Sequence, residues 1–284
     1  MAGSPAAVRP SDVARAIARR QITLVYQPKI LLPAGHIVGV EALARWQHPK
    51  RGFVPPDIFI AAAERGAVID ALTAYLLAAA LDEAAGWRRQ GLDLELAFNI
   101  SARNLHDVDF PNTVDDACRR HGFPSGRLTV ELTESATQHA VQLMDTLTRL
   151  RIKGIRISLD DFGIGYSSLS QLKQLPFTEI KIDKSFVIEA HRSRDSRVII
   201  KSIVDLAHNL GLDVTAEGVE TRDALGYLIE LGCDKAQGYY IARPMPGEAL
   251  VPWVRAWQAK IKAAGLLPIA SGPSRRKDPV HRIG

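Results

Sequence analysis

Leu128-Thr129-Val130-Glu131-Leu132, a helical pattern from Thr137 to Lys153, then Arg156-Ile157-Ser158-Leu159-Asp160-Asp161: the fold turns on this stretch. Two short β-rich runs joined through a helical pattern form a unit that, when repeated, implies a parallel sheet. Working outward, the β-rich runs Leu94 to Asn99, Thr178 to Ile182, Asp213 to Glu217 and Asp234 to Gln237 alternate with helical patterns. Those patterns are Ile69 to Arg89, Pro111 to Arg120, Arg194 to Leu210, Thr221 to Leu231 and Gly247 to Ala263. Upstream, Thr23 to Pro28 and Ile37 to Leu43 are separated by about eight residues that include Pro33 and Gly35. So short a link cannot cross a sheet face, which takes about a dozen residues, so these two strands are expected to pair antiparallel. A hairpin symmetric about residues 33 and 34 sets Gln27 opposite Val40, beside Glu41. Eight strands result, and the expected fold is α/β: a (βα)8 TIM-like barrel with the first strand antiparallel. An open doubly wound sheet is the alternative, but no Gly-rich phosphate loop follows any strand.

The 284 residues are 46% hydrophobic and 24% charged, with 21 Gly, 16 Pro and 2 Cys. These proportions exclude a disulfide-stapled miniature, a collagen-like fibre and a disordered acidic tail. Cys118 and Cys233 have no CxxC partner, which argues against a zinc site or a redox dithiol and for a reducing compartment. The longest apolar run, Ala74 to Leu81, falls far short of the roughly 20 residues a membrane span requires, and Met1 to Pro5 shows no secretory signal. The expectation is therefore a cytoplasmic protein without a membrane span. Much of the net charge of +5 lies in Ser271 to Gly284, where Arg275, Arg276, Lys277 and Arg282 face only Asp278. The body is close to neutral and no long nucleic acid is expected as a partner; the tail reads as a solvated, disordered end, with membrane or nucleic-acid contact as the alternative. The expected division is a flexible segment 1–11, one barrel 12–263, and a basic tail 264–284.

The strand ends carry the chemistry. The second strand ends in Glu41, the third in Asn99, the fourth in Glu131 with Glu134 after it, the fifth in Asp160-Asp161, the sixth around Lys181 and Asp183, the seventh in Glu217 and the eighth near Gln237. In a barrel the C-terminal ends of parallel strands open on one face, so these side chains converge. Like charges that close repel by several kcal/mol per pair at about 4 Å unless positive charge sits among them. Divalent cations supply it, and a donor set of Asp, Glu and Asn oxygens favours Mg²⁺ or Mn²⁺ over Zn²⁺. The adjacent Asp160-Asp161 invites two ions per site, a common arrangement for phosphate-ester hydrolysis.

Glu41-Ala42-Leu43-Ala44-Arg45-Trp46 resembles the signature that names the EAL family of cyclic di-GMP phosphodiesterases. Tyr26-Gln27-Pro28, His48-Pro49 through Gly52 to Pro55-Pro56, Phe98-Asn99-Ile100-Ser101, Glu131-Leu132-Thr133-Glu134, Asp160-Asp161-Phe162-Gly163, Lys181-Ile182-Asp183-Lys184-Ser185-Phe186, Glu217-Gly218-Val219-Glu220 and Gln237-Gly238-Tyr239 follow in the family's order. The resemblance runs from about Asp12 to Trp257. It implies a metal-dependent phosphodiesterase that opens cyclic di-GMP to linear pGpG. Glu41, Asn99, Glu131 and Asp160 would hold one cation, with Asp160 bridging to a second completed by Asp161 and Glu217. Lys181 would orient the attacking water or stabilise developing charge, and Glu217 would help accept its proton; with the ligand Glu41 these form the expected catalytic group. Gln27, Arg45, Asp183 and Gln237 are the expected substrate contacts, Arg45 at a phosphate. Glu134 would anchor the loop Phe162 to Ser168, including Gly163, from behind the ligands. Glu220 has two readings, a support of the same kind or an acid at a helix N-terminus. Family members often pair near the loop after the fifth strand, so a homodimer is expected, with regulation by oligomerisation or a separate protein.

Ile164 departs from the family's usual Thr in that loop, and Ile241-Ala242 from its usual Phe-Ser. The tyrosines 239 and 240 read as strand residues and Trp46 as packing. Two other functions stand beside the enzyme: a module that binds cyclic di-GMP or a protein without turnover, and an unrelated metal-dependent barrel hydrolase.

Overall fold

The computed structural model describes residues 7–134, 140–165 and 169–264; most of the expected basic tail, and Tyr166 to Ser168 of the expected loop, lie outside these. A first helix α1 (Pro10–Ala18) precedes the hairpin of β1 (Ile22–Leu31) and β2 (Ile37–His48), and β2 folds back into β3 (Gly52–Val54). Helices α2 (Pro56–Arg65) and α3 (Ile69–Arg89) lead to β4 (Glu95–Asn99), α4 (Phe110–Arg120), β5 (Leu128–Thr133), α5 (Ala140–Ile152) and β6 (Arg156–Phe162). The chain continues through α6 (Leu169–Gln174), β7 (Glu179–Ile182), α7 (Lys184–Glu189), α8 (Arg194–Asn209), β8 (Asp213–Ala216), α9 (Arg222–Glu230), β9 (Lys235–Ala236) and α10 (Gly247–Ala264). The sheet order β1-β9-β8-β7-β6-β5-β4-β2 closes through a β1–β2 pairing, with β3 hanging from β2. Strand β1 runs antiparallel to both its neighbours, and the remaining barrel pairs are parallel. The expected (βα)8 barrel with one reversed strand is the observed one.

Alternation along each strand decides what faces the helices and what faces the lumen. On β5, Leu128, Val130 and Leu132 are buried in the hydrophobic layer beneath the helices, together with Ile157 and Leu159 of β6 and Ile180 and Ile182 of β7. Each such side chain, fully buried, stabilises by about 1.5–3 kcal/mol. The intervening residues are polar: Thr129 and Glu131, Ser158 and Asp160, Glu179 and Lys181, Thr215, Lys235 and Gln237, all buried. The lumen is therefore a column of hydrogen-bonding and charged groups, with the apolar core outside the barrel wall. No helix among the described residues is long and apolar enough to cross a membrane.

Several expectations are corrected. Strand β2 does not end near Glu41 but continues to His48, because Ala44 to His48 go on to pair with β1 and β3. The hairpin is symmetric about residues 33 and 34 only at its tip, where Ile30 faces Ile37; Lys29 then faces Gly39. Val38 is the extra residue of a β-bulge, which shifts the register by one and sets Gln27 opposite Glu41 rather than Val40. Helices α1 and α2, outside the expected helical patterns, start on Pro10 and Pro56, which sit at the first helical position, where no N–H is needed. The six-residue helices α6 and α7 are too short to leave a periodic signal. Tyr239 and Tyr240 lie in the turn after β9, not in a strand.

Candidate active site

The upper lumen gathers the expected strand-end residues into one hydrogen-bonded ring. Register places Gln27 against Glu41 and Asn99 against Glu131. Asn99 Nδ2 donates to Glu41 Oε1 at 2.8 Å, and Gln237 Nε2 donates to Glu41 Oε2 at 2.7 Å and to Gln27 Oε1 at 2.9 Å. Gln27 Nε2 in turn donates to the Ala242 carbonyl. At the centre stands Lys181, fully buried, its Nζ 2.7 Å from Glu217, 2.8 Å from Glu131, 3.0 Å from Asp160 and 3.5 Å from Glu41. Glu41, Glu131 and Asp160 each offer an oxygen within 4.8 Å of the others, as do Asp160, Asp161 and Glu217.

Adjacent strand residues point to opposite faces, so Asp160 and Asp161 can share a site only if the strand is broken between them. It is: Leu159 pairs with Ile180 and Phe162 with Ile182, leaving two aspartates opposite the single Lys181. Asp161 takes a left-handed φ of 56°, a conformation that Asp tolerates better than most residues and that commonly marks functional sites. Asp160 Oδ1 accepts from the Asp161 backbone N–H at 3.0 Å. Beyond it, Glu134 Oε2 accepts from the N–H groups of Gly163 and Gly165, in the described part of the loop. At Gly163 φ is 107° and a Cβ would meet Phe186 at 2.8 Å, so the tight passage there requires glycine.

The charges do not balance. Burial raises Glu217 to about 8, a rise that Lys181 only partly offsets and that Asp160 and Glu41 reinforce. Burial and repulsion from Glu41 likewise raise Glu131 despite two lysines. Burial also acts on Glu41, but Lys181 and Lys29 outweigh it and hold that carboxyl low. Asp161 rises to about 6, first through burial and then through Asp160 and Asp183. An all-oxygen set, crowded within 4.8 Å and still proton-retaining around an ammonium, fits hard divalent cations.

The remaining expected residues sit around this ring. Asp183 caps α7, its Oδ1 accepting from the Ser185 N–H, and its side chain is hydrogen-bonded to Asp161. Two hollows flank Leu43. One, of about 380 Å³, is walled by Gln27, Glu41, Asp160, Glu217, Gln237, Glu220, Lys184, Ile188 and Tyr239. The other, of about 280 Å³ and more apolar, is walled by Arg45, Asn99, Phe98, Ile60, Leu72 and Leu76. Arg45 and Asn99 thus open on the second hollow, and Gln27, Glu41, Asp160, Glu217 and Gln237 on the first. Glu220 precedes Thr221, the residue that caps α9, and forms part of the rim. Gln237 Oε1 is buried and has no hydrogen-bond partner among the described residues. Phe162 packs against the core from the barrel side of the loop.

Sequence reading passed over Lys29. Its Nζ lies 2.6 Å from Glu131 Oε1, beneath the ring. The available signal was a lysine two residues after Gln27, in phase with the lumen.

A sequence profile described as the EAL domain matches residues 11–244. The chain belongs to the EAL domain family. This EAL domain is 40% identical over 241 residues to the oxygen sensor protein DosP of Escherichia coli (strain K12), covering 84% of this chain and 30% of that protein. It is 40% identical over 233 residues to the cyclic di-GMP phosphodiesterase PA2567 of Pseudomonas aeruginosa, covering 82% of this chain and 40% of that one. The chain therefore spans well under half the length of these relatives. Among solved EAL structures, the PaMucR phosphodiesterase in complex with c-di-GMP is similar at a TM-score of 0.80 and 40% identity, over 84% of this chain and 98% of that one. The EAL domain of Mycobacterium smegmatis DcpA is similar at a TM-score of 0.70 and 31% identity, over 87% of this chain and 97% of that one.

Proposed function

We propose that this EAL domain is a metal-dependent phosphodiesterase that hydrolyses cyclic di-GMP to linear pGpG. The observation that carries the proposal is the gathering of Glu41, Glu131, Asp160 and Glu217 around Lys181, with Asp161 within reach of Asp160 and Glu217 and Asn99 hydrogen-bonded to Glu41. Glu41, Asn99, Glu131 and Asp160 would hold one Mg²⁺ or Mn²⁺, and Asp160, Asp161 and Glu217 a second. When bound, such ions lower the pKa of water from 15.7 towards about 7 and neutralise charge on a transferring phosphoryl group.

The chain's own groups supply the rest. In the reaction a water oxygen bonds to phosphorus while the bond to the 3′-oxygen breaks, and negative charge grows on the phosphoryl oxygens. Lys181, kept protonated by its carboxylate partners, offers fixed positive charge at the ring's centre without reorganisation. Glu217, 2.7 Å from Lys181, would help accept the proton of the attacking water. The two hollows on either side of Leu43 suit a substrate with two planar bases and a phosphodiester between them. In this reading Arg45 and Gln27 fix the phosphate and the adjoining nucleotide. Gln237 turns Glu41 by its amide N–H and offers Oε1 to the ligand, Asp183 supports Asp161, and Glu134 holds Gly163 and Gly165. The exposed Ile164, in the loop after β6, and Val198 and Ile199 on α8 support the proposal of a homodimer.

Chromatography of c-di-GMP incubated with the protein and Mg²⁺ or Mn²⁺ tests the activity. The expected outcome is pGpG that disappears with EDTA and with Glu41→Ala. Intact nucleotide that still binds the wild type would instead establish a receptor.

A further inference from the structure

The lumen holds a second charged layer below the ring, and Lys29 joins the two. Glu179, on the floor, accepts from Lys235 Nζ at 2.6 Å through Oε2. Lys235 also lies 3.2 Å from Asp213, which Arg156 holds at 2.6 Å while donating to Glu95 at 3.2 Å. Lys29 lies 3.9 Å above Glu179 Oε1 and 2.6 Å below Glu131 Oε1. The other oxygen of Glu131, Oε2, is turned to Lys181, on the side of Asp160 and Glu41.

We infer, on the strength of the metal reading above, that Lys29 is a positioning residue for the cation ligand Glu131. By occupying Oε1 from beneath, it leaves Oε2 alone to face the ring, so Glu131 presents one oxygen in one orientation. Both residues are buried, and the floor network fixes the carboxylate of Glu179 below the lysine. Gly39, opposite Lys29 in the hairpin register, has Glu95 close against it: a Cβ there would meet the Glu95 carbonyl oxygen at 2.8 Å.

A lysine near a cation site has two separable effects of opposite sign. As a bare positive charge it repels the cation, so its removal would tighten binding; as an aligner of Glu131 its removal weakens binding. Loss of a residue that orients a metal ligand typically costs 10–100-fold in affinity. The test is Mn²⁺ titration without nucleotide, followed by electron paramagnetic resonance, on the wild type, Lys29→Met, Glu131→Gln and the double variant. K29M is expected to weaken Mn²⁺ binding tenfold or more, and to add less than twofold in the E131Q background, because its effect passes through Glu131. Binding by K29M that is unchanged or tighter, or a full additional loss in the double variant, overturns the role of Lys29 while the metal site stands. Absence of Mn²⁺ binding by the wild type overturns the metal reading itself, and with it this role. Should K29M fail to fold, the double variant decides: recovered cooperative melting supports the pairing, and persistent misfolding overturns it.

Discussion

At Asp161 the chain accepts two local penalties, a left-handed φ and a carboxylate held up at about 6 by burial and by its acidic neighbours. Its folded-state pKa lies above the usual carboxylate value near 3.8, so the penalty is absent below that pH and fully present above about 6. Asp161→Asn removes the charge and keeps a side chain that tolerates this backbone. In EDTA at pH 8 the variant should melt above the wild type, with the gain disappearing at pH 3.5, while pGpG formation falls at least a hundredfold. A lower melting temperature at pH 8 would show that the aspartate is a structural asset there. The residue types were legible from sequence, since consecutive aspartates after a β-run carry a chemical meaning. The break in pairing that lets both face Lys181 was not, because a bulge depends on the neighbouring strand and leaves no periodicity of its own.

The hairpin of β1 and β2 shows the same limit at the scale of an element. Its antiparallel sense followed from the short link, and its tip sits where symmetry about residues 33 and 34 puts it. Val38 then slips the register, and the partner of Gln27 changes from Val40 to Glu41. The lumen floor was likewise unread: Glu179 and Lys235 stand in strands whose ends drew attention, while their starts hold a buried ion network. Burial alone would raise Glu179, but Lys235 and then Lys29 outweigh it and bring it down to about 2. A lowered carboxylate stabilises the fold above its unfolded pKa near 4.5, and that stability drains away as the pH falls towards 2. Glu179→Gln should cost about 3 kcal/mol at pH 7, the usual cost of breaking a buried pair, and should flatten the acid limb between pH 4.5 and 2. Denaturant melts across that range measure both; an unchanged acid limb would place the acid-sensitive group elsewhere.

For the whole molecule, the apolar layer between barrel wall and helices supplies the stability, and the polar lumen spends part of it to keep like charges together. A binding partner that favours only the folded ring recovers that part by mass action. At a free concentration a hundred times its dissociation constant a ligand stabilises by about 2.7 kcal/mol. For chains of 150–250 residues each kcal/mol moves the melting temperature by about 2–4 °C, so Mn²⁺ at that concentration should raise it by about 5–11 °C over EDTA. Because Glu217, at about 8, retains its proton at pH 7 and must lose it to ligate, the shift should shrink as the pH drops from 8 to 6. Differential scanning calorimetry in Mn²⁺ and in EDTA at these pH values measures both effects. Glu41→Ala, which removes a donor from the first oxygen set, should lose most of the shift while its EDTA melt stays cooperative. Coincident wild-type melts with and without Mn²⁺ would mean that the ring is neutralised by Lys181 and protons alone, and the metal reading would fall with the hydrolytic one built on it.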